Sequence, residues 1–390
     1  MRRVSLLLMF FAVCALASSV AVSAPAPAAV AKKRCKMVVK TVHGKRKHVR
    51  VCHTVKPKPT PSPPAVPAAA KIVAQTSLPL SIDSLAVGDG AVWVTLDDKQ
   101  RIVRIDPATL NVVATITNPL AAEWAPGIAV GAGAVWASNP IPSPGNSADA
   151  GALLRIDPAT NTVAATISVG RSPEGIAFAG GAVWTANHRS DTPLGAPDPH
   201  LFSVSRVDPG SNREAGRIVV ERRTSSDSDP WTHYCCGPQG MTAGAGSLWV
   251  GDTTPHTVYR IDPAGNAVVA AIENPNGDTC GGMAASDTAV WIASGCDFNA
   301  VWRIDSATNT VAGTVTVPGE ARDVALGFGS AWATVGSTQR SPGEDVLVRV
   351  DAATNLVVGE TKIGSPGPVA VGDGAIWVAA GSTLYKLQPA

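Results

Sequence analysis

A short sequence unit that recurs seven times constrains the fold of this chain more than any other feature. Each copy reads Gly-x-Gly-Ala-Val-Trp or a close variant, and its tryptophans are Trp93, Trp136, Trp184, Trp249, Trp291, Trp332 and Trp377. Successive tryptophans lie 41 to 48 residues apart, except for one interval of 65. Such a period, with room for four short strands, is typical of a β-propeller blade. The sequence therefore predicts an all-β protein with seven blades.

A second unit, Arg-Ile-Asp-Pro-Ala-Thr-Asn or a close variant, follows every repeat tryptophan except the last. Its aspartates are Asp106, Asp157, Asp208, Asp262, Asp305 and Asp351. Proline fixes φ, and Asp and Asn side chains bond nearby backbone, so this unit predicts the turn between the third and fourth strands of a blade. The glycines before each tryptophan predict the tight turn between the first and second strands.

The two ends of the repeat region predict how the ring closes. The seventh unit stops after a third strand at Thr383–Leu387, with no fourth strand left. The segment Lys71–Thr76 precedes the first unit and matches the outer-strand pattern of residues 162–167. We therefore expect this N-terminal strand to complete the last blade, which would remove the open edges of the ring.

The repeat resembles those of the YVTN-type and virginiamycin B lyase-like propellers of bacteria. The resemblance is carried by Ile-Ala-Val-Gly-Ala-Gly-Ala-Val-Trp at residues 128–136 and by Arg-Ile-Asp-Pro-Ala-Thr at residues 155–160. It covers about residues 71–390. It implies the propeller fold, and it brings lyase chemistry into consideration as an activity.

The N-terminus has the pattern of a secretory signal peptide over residues 1–24. Arg2 and Arg3 are followed by an almost wholly apolar stretch and then by small residues, with cleavage after Ala24 or Ala21. The apolar stretch is too short for a good transmembrane span, and no later segment is long enough. The sequence predicts a secreted or extracytoplasmic protein without a transmembrane segment.

Two further segments precede the propeller, which spans residues 71–390. Residues 32–56 read as a small basic hairpin around His43 and Gly44, stapled by a disulfide between Cys35 and Cys52. An isolated hairpin is marginal in water, so a staple there is physically reasonable. Residues 57–70 are rich in proline and predict a stiff, extended linker.

Charge is divided sharply between these regions. Residues 32–58 hold 11 basic and no acidic side chains, whereas residues 71–390 hold 30 acidic and 19 basic ones, a formal charge of −11. A cationic hairpin attracts polyanions. Because the hairpin interleaves valines rather than aromatic residues, we expect an anionic cell-wall or envelope polymer as its partner and no nucleic acid.

Six cysteines follow the predicted signal peptide, and an even number in an exported chain favours disulfides. Besides the hairpin pair they are Cys235, Cys236, Cys280 and Cys296. The favoured pairing joins Cys235 or Cys236 to Cys280 or Cys296 and so ties the long 218–239 insertion to blade five. The alternative is a Cys235–Cys236 bridge together with a Cys280–Cys296 bridge.

The strand order sends the variable loops to one face, called here the top face. On this face each outer strand leads to the next inner strand, and each second strand leads to the third. The residues just ahead of the inner strands should ring the channel mouth: Asp83, Pro126, Glu174, Gln239, Gly281, Arg322 and Gly367, with Asp323 one step inward. Asp83, Glu174 and Gln239 are candidate acceptors for a small polar ligand, and Arg322 is a candidate anion clamp. The alternative is that Arg322 merely neutralises Asp83 and Glu174.

The top loops also contain all four histidines of the propeller, His188, His200, His233 and His256. Acids share these loops, namely Asp191, Asp198, Asp227, Asp229 and Asp252. Imidazole and carboxylate together can bind a transition metal or hold a general base, for which His233 and His256 are the candidates. Trp231 and Tyr234 are candidates for stacking on a ligand, although they could equally pack their loop onto the blade.

The chain contains no nucleotide-binding loop, nucleophile elbow or His-Glu-x-x-His motif. The leading hypothesis is a secreted or envelope binding propeller that holds a small molecule, glycan or peptide on its top face, with no cofactor. A metal-assisted lyase or hydrolase, with a divalent cation in the acidic loops, is the alternative. A structural surface module is a third possibility.

Overall fold

The computed structural model describes residues 32–42, 45–55, 66–120, 127–140, 151–192, 199–224, 237–254, 256–296, 298–338 and 343–390. The chain divides into two compact units, Met1–Ala65 and Val66–Ala390. The predicted signal peptide (1–24) and residues 57–65 of the predicted linker lie outside the described residues. Within the described ranges, no helix is long and apolar enough to cross a membrane.

The first unit contains two antiparallel strands, β1 (Lys32–Val42) and β2 (Lys45–Val55). Their register places Cys35 opposite Cys52. The side chains of these two cysteines are outside the described part of the chain, so the disulfide between them stays a prediction.

The second unit contains, in its described residues, seven four-stranded antiparallel sheets. β3 (Ala70–Ser77) comes first, and then blades one to three run β4 (Ile82–Gly88), β5 (Ala91–Leu96), β6 (Arg101–Ile105), β7 (Val112–Thr117), β8 (Ile128–Gly131), β9 (Ala134–Asn139), β10 (Gly151–Asp157), β11 (Thr162–Val169), β12 (Pro173–Ala179), β13 (Ala182–Asn187), β14 (His200–Asp208) and β15 (Arg213–Arg223). Blades four to seven run β16 (Pro238–Gly244), β17 (Ser247–Asp252), β18 (Thr257–Asp262), β19 (Ala267–Glu273), β20 (Met283–Ala285), β21 (Ala289–Ser294), β22 (Ala300–Asp305), β23 (Thr310–Thr316), β24 (Glu320–Gly327), β25 (Ser330–Gly336), β26 (Val346–Asp351), β27 (Leu356–Lys362), β28 (Pro366–Gly372), β29 (Ala375–Ala380) and β30 (Thr383–Pro389).

The predicted ring closure is confirmed. The seventh sheet has the order β28-β29-β30-β3, so the first strand of the propeller forms the outer strand of its last blade. The pairing runs from Ala70 opposite Pro389 to Ser77 opposite Thr383. The sequence placed both strands correctly and made each slightly too short.

The repeat tryptophans are fully buried. Each lies on the second strand of its own blade and packs against apolar side chains of the neighbouring blade. In six blades the indole N–H donates to the backbone carbonyl five residues earlier, at 2.9 to 3.3 Å. The third strand places a cation opposite each tryptophan, and this cation lies 4.9 to 5.9 Å from the ring centroid. Such cation–π contacts are favourable, more so when water is excluded.

The same cations also connect neighbouring blades. Arg104 donates to the Pro158 carbonyl at 2.6 Å, in the Asp-Pro turn of the next blade. In blade seven Lys386 replaces the arginine and donates to the Pro107 carbonyl of blade one at 2.8 Å. The repeat motif therefore encodes contacts both within a blade and across the seam of the ring.

We predict that ring closure depends on β3 and not on the first unit. Deleting residues 1–77 should lower Tm by at least about 5 °C and promote aggregation, because β30 loses its partner and presents an open edge. Deleting residues 1–65 is the matched control and should leave Tm nearly unchanged. The measurements are differential scanning fluorimetry and size-exclusion chromatography. Equal Tm values for the two truncations would contradict the prediction.

Candidate functional site

A central cavity of about 890 Å³ is bordered by all seven blades. Its volume lies within the roughly 300–1,000 Å³ range of small-molecule sites. Its walls are formed by Asp83, Ser84, Leu85, Gly127, Ile128, Glu174, Gly175, Ile176, His188, Arg189, Gln239, Gly240, Cys280, Gly281, Gly282, Arg322, Asp323, Gly367 and Pro368. Six of the seven predicted mouth positions are among them, and the seventh, Pro126, lies outside the described residues. The regular repeat thus located this ring correctly.

Asp323 joins three blades at the wall of the cavity. Its Oδ1 accepts from the Val324 N–H at 2.8 Å, and its Oδ2 accepts from the Val369 N–H of blade seven at 2.9 Å. A Cβ on Gly282 of blade five would lie 1.7 Å from Oδ1, so the glycine makes room for the carboxyl group. Burial raises the pKa of Asp323 to about 6, although the two backbone hydrogen bonds oppose this shift.

Glu174, His188 and Gln239 form another part of the wall. The sequence predicted Glu174 and Gln239 in one ring, but it did not predict that His188 lies beside them. Glu174 lies near the start of β12, His188 follows β13, and Gln239 lies near the start of β16. Burial raises the pKa of Glu174, while His188, a hydrogen bond from Gln239 and Arg189 oppose the shift. Arg189 was missed by the sequence analysis, although it directly follows His188 in the same top loop.

Two further charged residues of the ring have different partners from those predicted. Asp83 forms an ion pair with Lys99, which lies in the connection between β5 and β6. Arg322 donates its Nη1 to the Pro366 carbonyl at 3.0 Å and forms no ion pair with any described residue. The alternative in which Arg322 neutralises Asp83 and Glu174 is therefore wrong. The partner of Asp83 is instead Lys99, which belongs to the same blade.

The three described histidines of the top loops differ in their surroundings. His188 lines the cavity, whereas His200 is buried at the start of β14 and His256 lies in the turn before β18. His233 lies outside the described residues. Of the acids in these loops, Asp191 pairs with Arg217 at 3.0 Å. Asp198, Asp227 and Asp229 lie outside the described part, as do Trp231 and Tyr234.

Asp252 belongs to a buried ion-pair network away from the cavity wall. Its Oδ1 accepts from Arg223 at 2.7 Å, and Arg223 also pairs with Glu221 and lies 4.1 Å from the centroid of the Phe202 ring. Burial raises the pKa of Asp252, and the neighbouring Glu221 raises it further. This network links the end of β15 to the end of β17, so blades three and four are joined on the top face.

Cys280 and Cys296 form a disulfide with a Cα–Cα distance of 5.8 Å. The favoured pairing of either residue with Cys235 or Cys236 is therefore wrong, and the Cys280–Cys296 bridge of the alternative is present. Cys235 and Cys236 lie outside the described residues. The Asp278 carboxylate supports the bridge by accepting the backbone N–H groups of Cys280, Gly295 and Cys296.

The same three side chains, Asp278, Cys280 and Cys296, make up the cluster of metal-ligand type found in the described ranges. Both sulfurs are bonded to each other, and thiolate rather than disulfide sulfur binds metal. The cluster therefore has no ligand capacity beyond one carboxylate, which already accepts three N–H groups.

Among the comparisons with known proteins, only the search of solved structures found similar proteins. No family model matches the chain, and no curated protein matches it. Selenomethionine-substituted virginiamycin B lyase from Staphylococcus aureus is similar in structure, with a TM-score of 0.60 and 16% identity over 81% of this chain and 99% of that chain. A catalytically inactive histidine-to-alanine form of this lyase with quinupristin has a TM-score of 0.61 and 15% identity, over 82% and 100% of the two chains. The chain therefore has a virginiamycin B lyase-like propeller fold.

We predict that Asp323 makes stability fall as the pH rises. Its ordinary pKa of 3.8 applies to the unfolded chain, and its pKa in the folded protein is about 6. Between these values the unfolded state loses its proton first, so the free energy of unfolding should fall by up to about 3 kcal/mol and then level off. The Asp323→Asn variant should lack this pH-dependent fall in the free energy of unfolding.

The measurement is urea unfolding of both proteins between pH 4 and 8 (roughly the window set by the two pKa values). Asp373→Asn, an exposed change in the turn between β28 and β29, is the matched control and should follow the wild-type curve. A constant difference between wild type and Asp323→Asn across this window would contradict the prediction.

Proposed function

We propose that this chain is an extracytoplasmic binding protein whose propeller holds a small molecule, glycan or peptide in the top-face cavity. The observation that supports this most strongly is the convergence of polar side chains from separate blades on one cavity of about 890 Å³. Ligand sites are typically concave and carry a few convergent polar groups. The chain lacks a recognisable catalytic motif, which favours binding over chemistry.

The polar groups of the cavity are held on rigid elements. Glu174, Gln239 and Arg322 lie near the starts of inner strands in blades three, four and six. Because the strands are fixed by sheet pairing and by interblade contacts, a ligand would meet preformed donors and acceptors and lose less entropy on binding. A ligand that reaches from blade three to blade six would contact several blades at once, so its affinity would depend on their relative positions.

The basic hairpin gives the proposed protein a means of attachment. Every Lys and Arg of β1 and β2 lies in a segment without any acidic residue. We propose that this unit binds an anionic wall or envelope polymer, as its charge suggests. Such binding should weaken steeply as salt is raised, since screening acts over about 10 Å at 0.1 M.

An enzyme is the second candidate, favoured by one feature of the cavity. Glu174 has a raised pKa and lies beside His188, and a carboxyl group that keeps its proton longer can serve as a general acid. His188 lines the cavity, so it is a better placed base than His256. The solved propellers of this fold include proteins described as virginiamycin B lyase, and the reaction class proposed is a lyase or hydrolase.

We predict that a ligand found by thermal-shift screening will depend on the cavity. Glu174→Gln and Gln239→Ala should each weaken its affinity by about tenfold, because each removes a polar contact in a partly buried site. Asp373→Asn removes one exposed charge on the opposite face and is the control, expected to bind as wild type. Affinities come from calorimetric titration. A ligand that tolerates both cavity changes binds elsewhere, and this choice of site would then be abandoned.

We predict that purified protein dialysed against Mg²⁺, Mn²⁺ or Zn²⁺ contains far less than one ion per chain. The reason is that the metal-type cluster of the described residues is already occupied by a disulfide and by backbone N–H donors. Elemental analysis by mass spectrometry is the measurement. One bound ion per chain would instead favour the metal-assisted enzyme, with ligands from the acidic top loops.

A further inference from the structure

We infer that the ligand of the cavity carries an anionic group, a carboxylate or a phosphate, which binds the guanidinium group of Arg322. This inference rests on the proposed binding function and adds the chemical class of the ligand. The sequence named Arg322 as one candidate anion clamp, and the partners of the charged side chains around the cavity support that role.

The acidic residues of the cavity wall already have partners. Asp83 is paired with Lys99, and the two oxygens of Asp323 accept backbone N–H groups. Glu174 accepts a hydrogen bond from Gln239 and lies in the positive field of His188 and Arg189. A cationic ligand would therefore have to displace or share existing partners at each of these three acids.

Arg322 is in the opposite situation. Within the described residues its side chain has one hydrogen bond, from Nη1 to the Pro366 carbonyl, and no acidic partner. Glu320 lies two residues away and forms no ion pair with it in the described part of the chain. A guanidinium group has five N–H donors, so most of the donor capacity of Arg322 remains for a ligand.

The protein also makes room for this guanidinium group. A Cβ on Gly336, at the end of β25, would lie 2.4 Å from the Cζ, Nε and Nη2 atoms of Arg322. Glycine at position 336 therefore lets the planar group lie against the backbone of its own blade at the edge of the cavity. The position is partly shielded from water, where bonds between guanidinium and carboxylate or phosphate are shorter and stronger than neutral ones.

The net negative charge of the propeller disfavours the binding of anions. Residues 71–390 carry a formal charge of −11, so the general field of the protein repels anions and attracts cations. An anion that binds the cavity must consequently owe its affinity to a local group. By position and by lack of an acidic partner among the described residues, that group is Arg322.

The test uses pairs of probes that differ in charge and come from different ligand classes. Glucuronate and glucose 6-phosphate are compared with glucose, and an N-acetylated dipeptide with a free carboxylate is compared with its amide. Each is titrated into the full mature chain and followed by calorimetry or ligand-observed NMR. Comparing glucuronate with glucose 6-phosphate distinguishes a carboxylate from a phosphate. Comparing the sugars with the dipeptide distinguishes a glycan from a peptide.

We expect at least one charged probe to bind about tenfold or more tightly than its neutral counterpart, as a charge-assisted hydrogen bond requires. Arg322→Gln should abolish that preference, whereas Arg322→Lys should keep part of it. Gly336→Ala should reduce it without changing any charge, because the new methyl group displaces the guanidinium group. Arg213→Gln removes an exposed charge on outer strand β15 and should bind as wild type. Tm is measured for every variant to exclude unfolding.

The other outcomes each have a defined meaning. If neutral probes bind as well as charged ones and the binding is weakened by Glu174→Gln, the proposed cavity function stands and the anion inference is overturned. If charged probes bind equally to wild type and Arg322→Gln, the anion site lies elsewhere and the inference is also overturned. If no charged or neutral probe binds, the inference fails for sugars and for peptides alike, together with the proposed function.

Discussion

The pairing of β3 with β30 is the constraint on which the rest of this structure depends. A four-stranded blade buries its tryptophan only when another blade packs beside it, so the ring is stable only when it is complete. The Lys386 contact with the Pro107 carbonyl crosses the same seam from the third strand. The cavity exists because these contacts hold seven inner strands around one axis. The inner strands in turn fix the positions of the side chains that line it.

Most of the fold, and the position of the site, could be predicted because they follow from the repeat. Fixed offsets from each tryptophan gave the strands, the closing segment and the cavity positions of Asp83, Glu174, Gln239 and Arg322. The partners of these side chains could not be predicted. Long charged side chains reach several neighbours, so the pairing of Asp83 with Lys99 depends on the path of an irregular loop. The same limit applies to the Cys280–Cys296 bridge, since the sequence alone leaves the pairing of four cysteines open.

The charged groups of the top face fall into two kinds with different physical roles. Arg223, Asp252 and Glu221 are buried together and join blades three and four, so their charges mainly serve the structure. Removing one member would leave another charge buried without compensation, which is costly. Arg322 lies at the cavity wall without an acidic partner among the described residues, so its remaining N–H groups are accessible to a ligand. The residue types alone do not separate these two kinds, because both consist of charged side chains near strand termini on the top face.

The circular order of strands also determines when folding can finish. β3 is made by the ribosome before any complete blade, yet its partner β30 ends at Pro389, next to the last residue of the chain. Blades one to six can form from contiguous segments as they appear, whereas blade seven must join residues separated by the whole propeller, a contact of very high sequence separation. The ring therefore cannot close until β30 has been made, and until then a nascent chain keeps unpaired strand edges that are exposed to solvent.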